Sequence, residues 1–247
     1  MCAALTLLQK ALLNNDAAGI YEELKPLLSR LPSSSPVKND RDLAIKKFNE
    51  IEVSLCASEP GLKYNLLLER SYERLAESLS LPPPNKSEVG AIGASISKWP
   101  AFPDTVAALH RLQKHYKLVI LSNVDKKSFD EVLAGAFKDV KLDAVYVAEE
   151  IGSYKPDMRN LHYLLEHVKG ELGVEKKQVL HTAHGLKVDH VPSKEIGLTS
   201  AWIQRDETTG PGSRMEEVKN KVAFTWQFNT LGEMADAVDQ EFAKVSK

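Results

Sequence analysis

The sequence predicts an α/β fold, with a Rossmann-like parallel sheet core and an inserted all-helical cap. Apolar residues recur at helical spacing through the first hundred positions, whereas from Trp99 onward short apolar runs alternate with amphipathic segments. Such alternation is typical of parallel strands joined by crossover helices. We therefore assign residues 1–14 and 99–247 to the core and residues 15–98 to the cap.

The predicted elements begin with a short apolar strand at residues 3–8, which places the helical segment as an insertion after the first strand. Two polar loops rich in proline, 32–36 and 82–85, separate the helices of that segment. The apolar helix faces on either side of these loops indicate a small bundle. Their residues are Ile20, Leu24, Leu27 and Leu28, then Ala44, Phe48, Ile51 and Leu55, then Tyr64, Leu68, Tyr72, Leu75 and Leu79.

Four further apolar runs supply the other strands of the predicted core. They lie at residues 118–121, 144–147, 179–183 and 200–203. The segments between them carry apolar residues at helical spacing, and Met234, Val238 and Phe242 indicate a final helix.

Composition and charge exclude several function classes. The 247 residues include 32 Lys and Arg against 34 Asp and Glu, a net charge of -2, so the chain lacks the positive field that a nucleic-acid partner requires. The two cysteines, Cys2 and Cys56, form neither a disulfide framework nor a metal-ligand spacing. Residues 1–8 are too short to span a bilayer. We expect a cytoplasmic protein with a small-molecule substrate, no membrane partner and no cofactor, and a homodimer remains an open alternative.

Polar residues follow three of the predicted strands, where ligands bind in open parallel sheets. Because the carboxyl ends of parallel strands share one edge of the sheet, we expect these side chains to lie close together. The residues are Ser122, Asn123 and Asp125 after the second strand, Tyr154 and Lys155 after the third, and His184, Asp189 and His190 after the fourth.

The order and spacing of these motifs resemble the haloacid dehalogenase superfamily, in its 2-haloacid dehalogenase-like branch. Ser122-Asn123 resembles the second motif of that family, Lys155-Pro156-Asp157 the third, and Asp189 before Gly197-Leu198 the acidic fourth. Residues 99–104 and 224–231 are similar to segments of fungal members. The resemblance implies a core domain, a helical cap, and a site at the sheet edge.

The sequence departs from the family at the first motif, which carries a nucleophilic aspartate in the pattern Phe-Asp-x-x-Gly-Thr-Leu. In the best register Leu8 stands in place of that aspartate, and Ala11-Leu12 stand in place of Gly-Thr. Leucine offers no lone pair for covalent catalysis, and the carboxylate that the family uses to hold magnesium is equally missing. We therefore predict no metal site and no aspartyl-ester chemistry.

Each candidate residue has a structural alternative. Lys155, Asp189 and His190 are the predicted catalytic residues, since an ammonium, a carboxylate and an imidazole can transfer protons or stabilise charge. Alternatively, Lys155 and Asp189 form a structural ion pair, Asp189 caps the next helix, and His190 packs under the sheet. His181 lies inside a strand and is interpreted as a satisfied core histidine.

The predicted substrate-binding residues also have structural alternatives. Turn formation is the alternative for Ser122 and Asn123, and capping of the next helix is the alternative for Asp125. Trp99 and Tyr154 are expected to line an apolar pocket between cap and core, with interdomain packing as their alternative. His184 completes the predicted binding set.

These considerations favour an isomerase or cyclase that works by acid–base catalysis on a small hydrophobic molecule. Epoxide rearrangement or cyclisation in alkaloid or polyketide secondary metabolism is the leading hypothesis, because fungal proteins of this type have such roles and because neither reaction needs a nucleophile. One alternative is a hydrolase of carbon–halide bonds that uses Asp16, Asp125 or Asp189. The other is a ligand-binding protein without catalytic activity.

Overall fold

The computed structural model describes residues 4–7, 16–205 and 215–245, and these form a parallel sheet with helices on both faces. The strands are hydrogen-bonded in the order β3-β2-β1-β4-β5-β6, and every pair is parallel. The predicted fold class is confirmed. The strands are β1 (Ala4–Leu7), β2 (Lys117–Ser122), β3 (Ala144–Val147), β4 (Val179–Ala183), β5 (Ser200–Ile203) and β6 (Trp226–Phe228).

Strand β1 lies at the centre of the sheet although it comes first in the chain. Ala4 pairs with Lys117 of β2 on one side and with Val179 of β4 on the other. All four residues of β1 are buried, as expected for a strand covered on both faces. Leu5 and Leu7 pack in the larger apolar cluster, and Ala4 packs in the cluster on the opposite face.

Twelve α-helices and a few shorter helical turns connect or cover the strands in the described part of the chain. Four α-helices precede the second proline-rich loop, at residues 82–85. One more α-helix follows this loop before the chain returns to the core. The helices are α1 (Asp16–Ser29), α2 (Pro36–Asn39), α3 (Arg41–Ser58), α4 (Tyr64–Ser78), α5 (Lys86–Gly93), α6 (Thr105–Leu112), α7 (Lys126–Ala134), α8 (Ala148–Ile151), α9 (Met158–Leu172), α10 (Val191–Glu195), α11 (Met215–Val218) and α12 (Leu231–Val245).

The described residues of the segment predicted as the cap form helices joined by turns and loops, with no strand among them. Local signals in the sequence account for its helix boundaries: Asp40 caps α3 by accepting a hydrogen bond from the backbone N–H of Leu43, and Asn85 and Glu88 form a capping box at α5. The division of the chain into a core and a cap domain at residues 15 and 98 stays a prediction.

Trp99, at the return from the helical segment to the core, packs against α1. A Cβ built on Gly19 would lie 2.4 Å from Trp99 Cδ1, so only glycine fits beneath the indole ring at this position. Trp99 is buried and belongs to the larger apolar cluster, which extends from the sheet into the helical segment. This contact supports interdomain packing, the alternative to a pocket-lining role for Trp99.

Arg205 joins the end of β5 to the start of α6. Its guanidinium donates to Asp104 Oδ1 at 2.6 Å and stacks on the ring of Phe102, with Cζ 3.9 Å from the ring centroid. The second oxygen of Asp104 accepts from the backbone N–H of Gly232, the second residue of α12. A single ion pair, with a buried arginine and an aspartate side chain that is 24% exposed, therefore ties three elements of the core together.

Among the described residues, no helix has both the length and the apolar character needed to cross a membrane. The predicted cytoplasmic location stays a prediction.

Candidate active site

Lys155 and Asp189 meet at the carboxyl edge of the sheet. Lys155 Nζ lies 3.1 Å from Asp189 Oδ1, and the two side chains are only 7% and 4% exposed. The contact is a close ion pair rather than an aligned hydrogen bond, while Nζ donates to the backbone carbonyl of Leu121 at 3.1 Å. Burial of an ion pair is costly unless the charges compensate each other, so this pair is a strong candidate for a functional centre.

The side-chain amide of Asn123 holds the Lys155 loop against the end of β2. Asn123 Oδ1 accepts from the backbone N–H of Lys155 at 2.8 Å, and Asn123 Nδ2 donates to the Lys155 carbonyl at 3.2 Å. These two bonds use both ends of the amide. Asn123 therefore positions Lys155, and the predicted substrate-binding role of Asn123 gains no contact of its own.

Asp189 is presented by a single π-helical turn, Leu186–His190, that follows β4. Such turns are rare in proteins, and a large share of those that occur lie at functional sites. A Cβ on Gly185 would lie 2.5 Å from Asp189 Oδ2, so glycine at this position leaves room for the carboxylate. Asp189 does not cap α10. The N-cap residue of that helix is His190, and no side-chain hydrogen bond caps the helix there. The alternative of a capping role is therefore wrong.

Ser122 is the last residue of β2 and is buried beside Asn123. The structure thus brings Ser122, Lys155 and Asp189 to one edge of the sheet, as the topology predicts. Leu8, Ala11 and Leu12, which stand in place of the family's first motif, lie outside the described residues. The side chain of Asp16 also lies outside them.

His190 is fully buried, and both of its ring nitrogens face groups of the protein. Nε2 lies 3.2 Å from the Ala183 carbonyl, which can only accept, so Nε2 carries the proton. Nδ1 lies 3.1 Å from Ser200 Oγ. Burial lowers the pKa of His190, and the bond to Ala183 offsets only part of that effect. The contacts support the packing interpretation and give the predicted catalytic role no free ring nitrogen.

The other two histidines after and within β4 also differ from expectation. His184 Nδ1 donates to the carbonyl of Ile203 at 3.0 Å, which ties the turn after β4 to β5. His181 is buried as predicted, but neither ring nitrogen has a hydrogen-bond partner in the described part of the chain. The prediction of a core position for His181 is confirmed, but the described residues supply no partner for its ring nitrogens.

Asp125 is engaged in structural contacts. Its Oδ1 accepts from the backbone N–H of Ser128 and caps α7, and its Oδ2 accepts from Ser128 Oγ at 2.8 Å and from the backbone N–H of Asn65 at 3.2 Å. Asn65 lies in α4, so Asp125 joins the helical segment to the core. Both oxygens are occupied, which leaves the predicted substrate-binding role without support and favours the capping alternative.

Tyr154 makes a second contact between the same two parts. Its hydroxyl donates to the carbonyl of Leu62, and its ring centroid lies 6.5 Å from that of Tyr64. Burial raises the pKa of Tyr154, and nearby acidic groups add to the effect. The hydroxyl is thus protonated and bound, as interdomain packing would require.

Glu149 and Lys63 form a third contact of this kind, and we expect it to weaken in acid. Lys63 Nζ lies 2.7 Å from Glu149 Oε1, and hydrogen bonds from Lys63 and from the Lys126 backbone lower the pKa of Glu149 below its ordinary 4.5. A carboxylate with a lowered pKa stabilises the folded contact above its ordinary value and loses that contribution as the pH falls below it. The protection factors of the amide hydrogens at residues 63–67 should therefore fall as the pH is lowered from about 5 to about 3.

The control for this prediction is Glu149→Gln, which cannot titrate. The protection factors at residues 63–67 should then be low at both pH values and should depend much less on pH. Equal acid sensitivity in the variant and the wild type would show that Glu149 does not control this contact.

The site residues predicted from the sequence do not include one buried polar pair in the helical segment. The hydroxyl of Tyr64 donates to Glu52 Oε1 at 2.9 Å, and both residues are buried. Glu52 lies on the inward face of α3 with Phe48 and Leu55. That spacing was readable in the sequence, because a carboxylate on an apolar helix face is costly to bury without a partner.

The described residues do not fit a magnesium site. Asp189, the acidic residue of the site, lies against the ammonium of Lys155, which would repel a second cation. Within residues 4–7, 16–205 and 215–245, no three His, Cys, Asp or Glu side chains are grouped so that they could hold a metal ion.

Comparison with known proteins places this geometry in a known fold. No family model matches the sequence, and no curated protein matches it. Among solved structures, L-2-haloacid dehalogenase PA0810 superimposes with a TM-score of 0.72 at 22% identity, over 96% of this chain and 99% of that one. L-2-haloacid dehalogenase from Xanthobacter autotrophicus gives a TM-score of 0.75 at 16% identity, over 97% and 99% of the two chains.

A magnesium-bound HAD-hydrolase, YfnB from Bacillus subtilis, gives a TM-score of 0.71 at 13% identity and covers 97% of this chain and all of that one. The chain therefore has the haloacid dehalogenase-like fold, and the resemblance drawn from the motifs is confirmed at the level of the fold. At these identities the likeness shows the fold and leaves the reaction open.

Proposed function

We propose that this protein is an enzyme with a haloacid dehalogenase-like fold that works by acid–base catalysis without a nucleophilic aspartate. The observation that carries the proposal is the buried pair of Lys155 and Asp189, 3.1 Å apart at the carboxyl edge of the sheet. The sequence has leucine at position 8, where the family pattern has its nucleophile. An ammonium and a carboxylate remain, and these suffice for proton transfer and charge stabilisation.

The reaction class that suits this pair is rearrangement or cyclisation of a small hydrophobic molecule, with epoxide opening as the leading case. The Lys155 ammonium would stabilise the negative charge that develops on the epoxide oxygen, or protonate it. Asp189 would orient the ammonium and accept the proton that the substrate loses as the product forms, and the transfer of that proton to Lys155 would restore both groups for the next turnover. Ser122, buried at the end of β2 on the same edge of the sheet, is the remaining candidate for holding an oxygen of the substrate.

Hydrolysis of a carbon–halide bond is the alternative reaction, and the contacts of Asp125 and Asp189 disfavour these two residues as its nucleophile. Both oxygens of Asp125 are occupied by α7 and α4, and Asp189 is paired with Lys155. A nucleophilic carboxylate needs a lone pair directed at the substrate. A non-catalytic binding protein is the second alternative, and retention of a buried ion pair at the sheet edge speaks against it, because apolar residues would pack there at lower cost.

We expect the purified protein to convert an epoxide into an isomer of equal mass and to keep that activity in EDTA. Neither step of the proposal requires a metal, and the described site does not fit one. The measurement is mass spectrometry with chromatographic separation of products from a panel of epoxide-bearing alkaloid and polyketide intermediates, with and without EDTA. A parallel incubation with 2-chloropropionate should release no chloride.

Each alternative has its own signature in this experiment. Chloride release would overturn the proposal in favour of a dehalogenase, and activity that EDTA abolishes and magnesium restores would overturn the metal-independent mechanism. Saturable binding without any product would favour the non-catalytic protein.

A further inference from the structure

Two buried polar residues lie side by side on neighbouring strands. Thr6 of β1 pairs in register with His181 of β4, so their side chains project from the same face of the sheet. Both residues are 0% exposed. The surrounding cluster on that face is apolar and includes Val119, Leu121 and Ala183.

Neither side chain has a hydrogen-bond partner within residues 4–7, 16–205 and 215–245. The atoms concerned are Thr6 Oγ1 and both ring nitrogens of His181. A hydroxyl can donate and accept, and a neutral imidazole has one donor and one acceptor. Buried polar groups of native proteins are paired in nearly all cases, and those without a protein partner are paired with internal water.

His181 lies close to the candidate active site. Its ring centroid is 6.5 Å from that of His190, the residue next to Asp189. Burial lowers the pKa of His181 well below its ordinary value, and His190 and the Lys155 ammonium add to the effect. The imidazole is therefore neutral, and as a neutral ring it can both donate to and accept from water.

We propose that Thr6 and His181 bind at least one internal water molecule between β1 and β4, on the face of the sheet where His181 approaches His190. The water bridges Thr6 Oγ1 and a ring nitrogen of His181 and so satisfies polar atoms that the apolar face of the sheet leaves unpaired. The site is a hydration site built into the sheet, and it stands whether or not the protein is the enzyme proposed above.

A double-mutant cycle with Thr6→Val and His181→Leu tests this site. If the water is bound, each single change leaves the other side chain with a poorer partner, and each should lower the equilibrium constant for folding about tenfold. The double change should cost much less than the hundredfold product, because it removes both polar groups together. Urea unfolding followed by circular dichroism gives these constants.

If no water is bound between the two residues, the effect of each single change on the folding equilibrium reverses. Each single variant would then be as stable as the wild type or more stable, because it removes an unpaired buried polar group. The two effects would add. That result would overturn the proposal.

Water-to-protein nuclear Overhauser effects in the wild type provide a second measurement that does not depend on the variants folding. We expect cross-relaxation between a long-lived water and the ring protons of His181, and we expect it to disappear in Thr6→Val. The matched control is Thr182→Val, because the Thr182 hydroxyl donates to Met234 Sδ and the residue neighbours His181 on β4. The control variant should keep this cross-relaxation signal. Absence of the signal from the wild-type protein would overturn the proposal.

Discussion

Replacing Lys155 with methionine should lower turnover of the native substrate about a hundredfold or more. The reason is that this ammonium is the group placed to stabilise or protonate a developing oxyanion, and such interactions contribute about two to three powers of ten to a rate. Asp189→Asn should lower turnover to a similar degree, because Lys155 then loses the carboxylate that compensates the charge of its ammonium. The measurement is steady-state turnover by purified variants, with circular dichroism to confirm folding.

The same two changes should affect stability. Removing one partner of a buried ion pair leaves the other charge uncompensated, at a cost of about 3–5 kcal/mol. Lys155→Met should therefore destabilise the fold, and the double variant Lys155→Met/Asp189→Leu should recover part of the loss. Lys187→Met is the matched control, because Lys187 is exposed two residues before Asp189. Full activity in both Lys155→Met and Asp189→Asn would show that the pair is a structural relic of the fold.

Replacing Arg205 with methionine should lower the melting temperature by roughly 10 °C. The change leaves Asp104, whose side chain is 24% exposed, without its cation, and it removes the stack on Phe102, so we expect a loss of about 2–4 kcal/mol. In a chain of this size each kcal/mol corresponds to about 2–4 °C. Thermal unfolding monitored by circular dichroism checks the prediction.

Two further variants separate the contributions of Arg205. Arg205→Lys keeps the charge but loses the planar fork and the stack, so its melting temperature should lie between those of the methionine variant and the wild type. Arg159→Met is the surface control, because the Arg159–Asp157 pair is exposed and such pairs contribute about 0–1 kcal/mol. Equal effects of the buried and surface changes would show that the Arg205–Asp104 pair does not hold β5, α6 and α12 together.

The sheet could be predicted from the sequence because each strand is a short apolar run bounded by polar residues. The predicted runs 144–147, 179–183 and 200–203 coincide with β3, β4 and β5. Their neighbours along the sheet follow from topology, since parallel strands joined by helices bring their carboxyl ends to one edge. For the same reason the approach of Lys155 to Asp189 could be foreseen without any knowledge of distances.

The roles of the other candidate residues could not be predicted, because they depend on contacts between segments far apart in the chain. Asp125 follows β2 like a ligand-binding residue, yet its oxygens bind the ends of α7 and α4. His190 has the neighbours of a catalytic histidine in sequence, yet its ring nitrogens face Ala183 and Ser200. Neither the π-helical turn that carries Asp189 nor the stack of Arg205 on Phe102 has a local signature in the residue pattern.

The central position of β1 has a consequence for how the chain reaches its native state. Ala4 must find Lys117 on one side and Val179 on the other, so the middle of the sheet cannot close until most of the chain has been synthesised. Contacts between residues so distant in sequence slow folding, because the entropy of closing long loops is lost before the strands pair. The helices between β1 and β2 contact one another over shorter separations. They can thus assemble early and shorten the effective distance across which β1 must search for its partners.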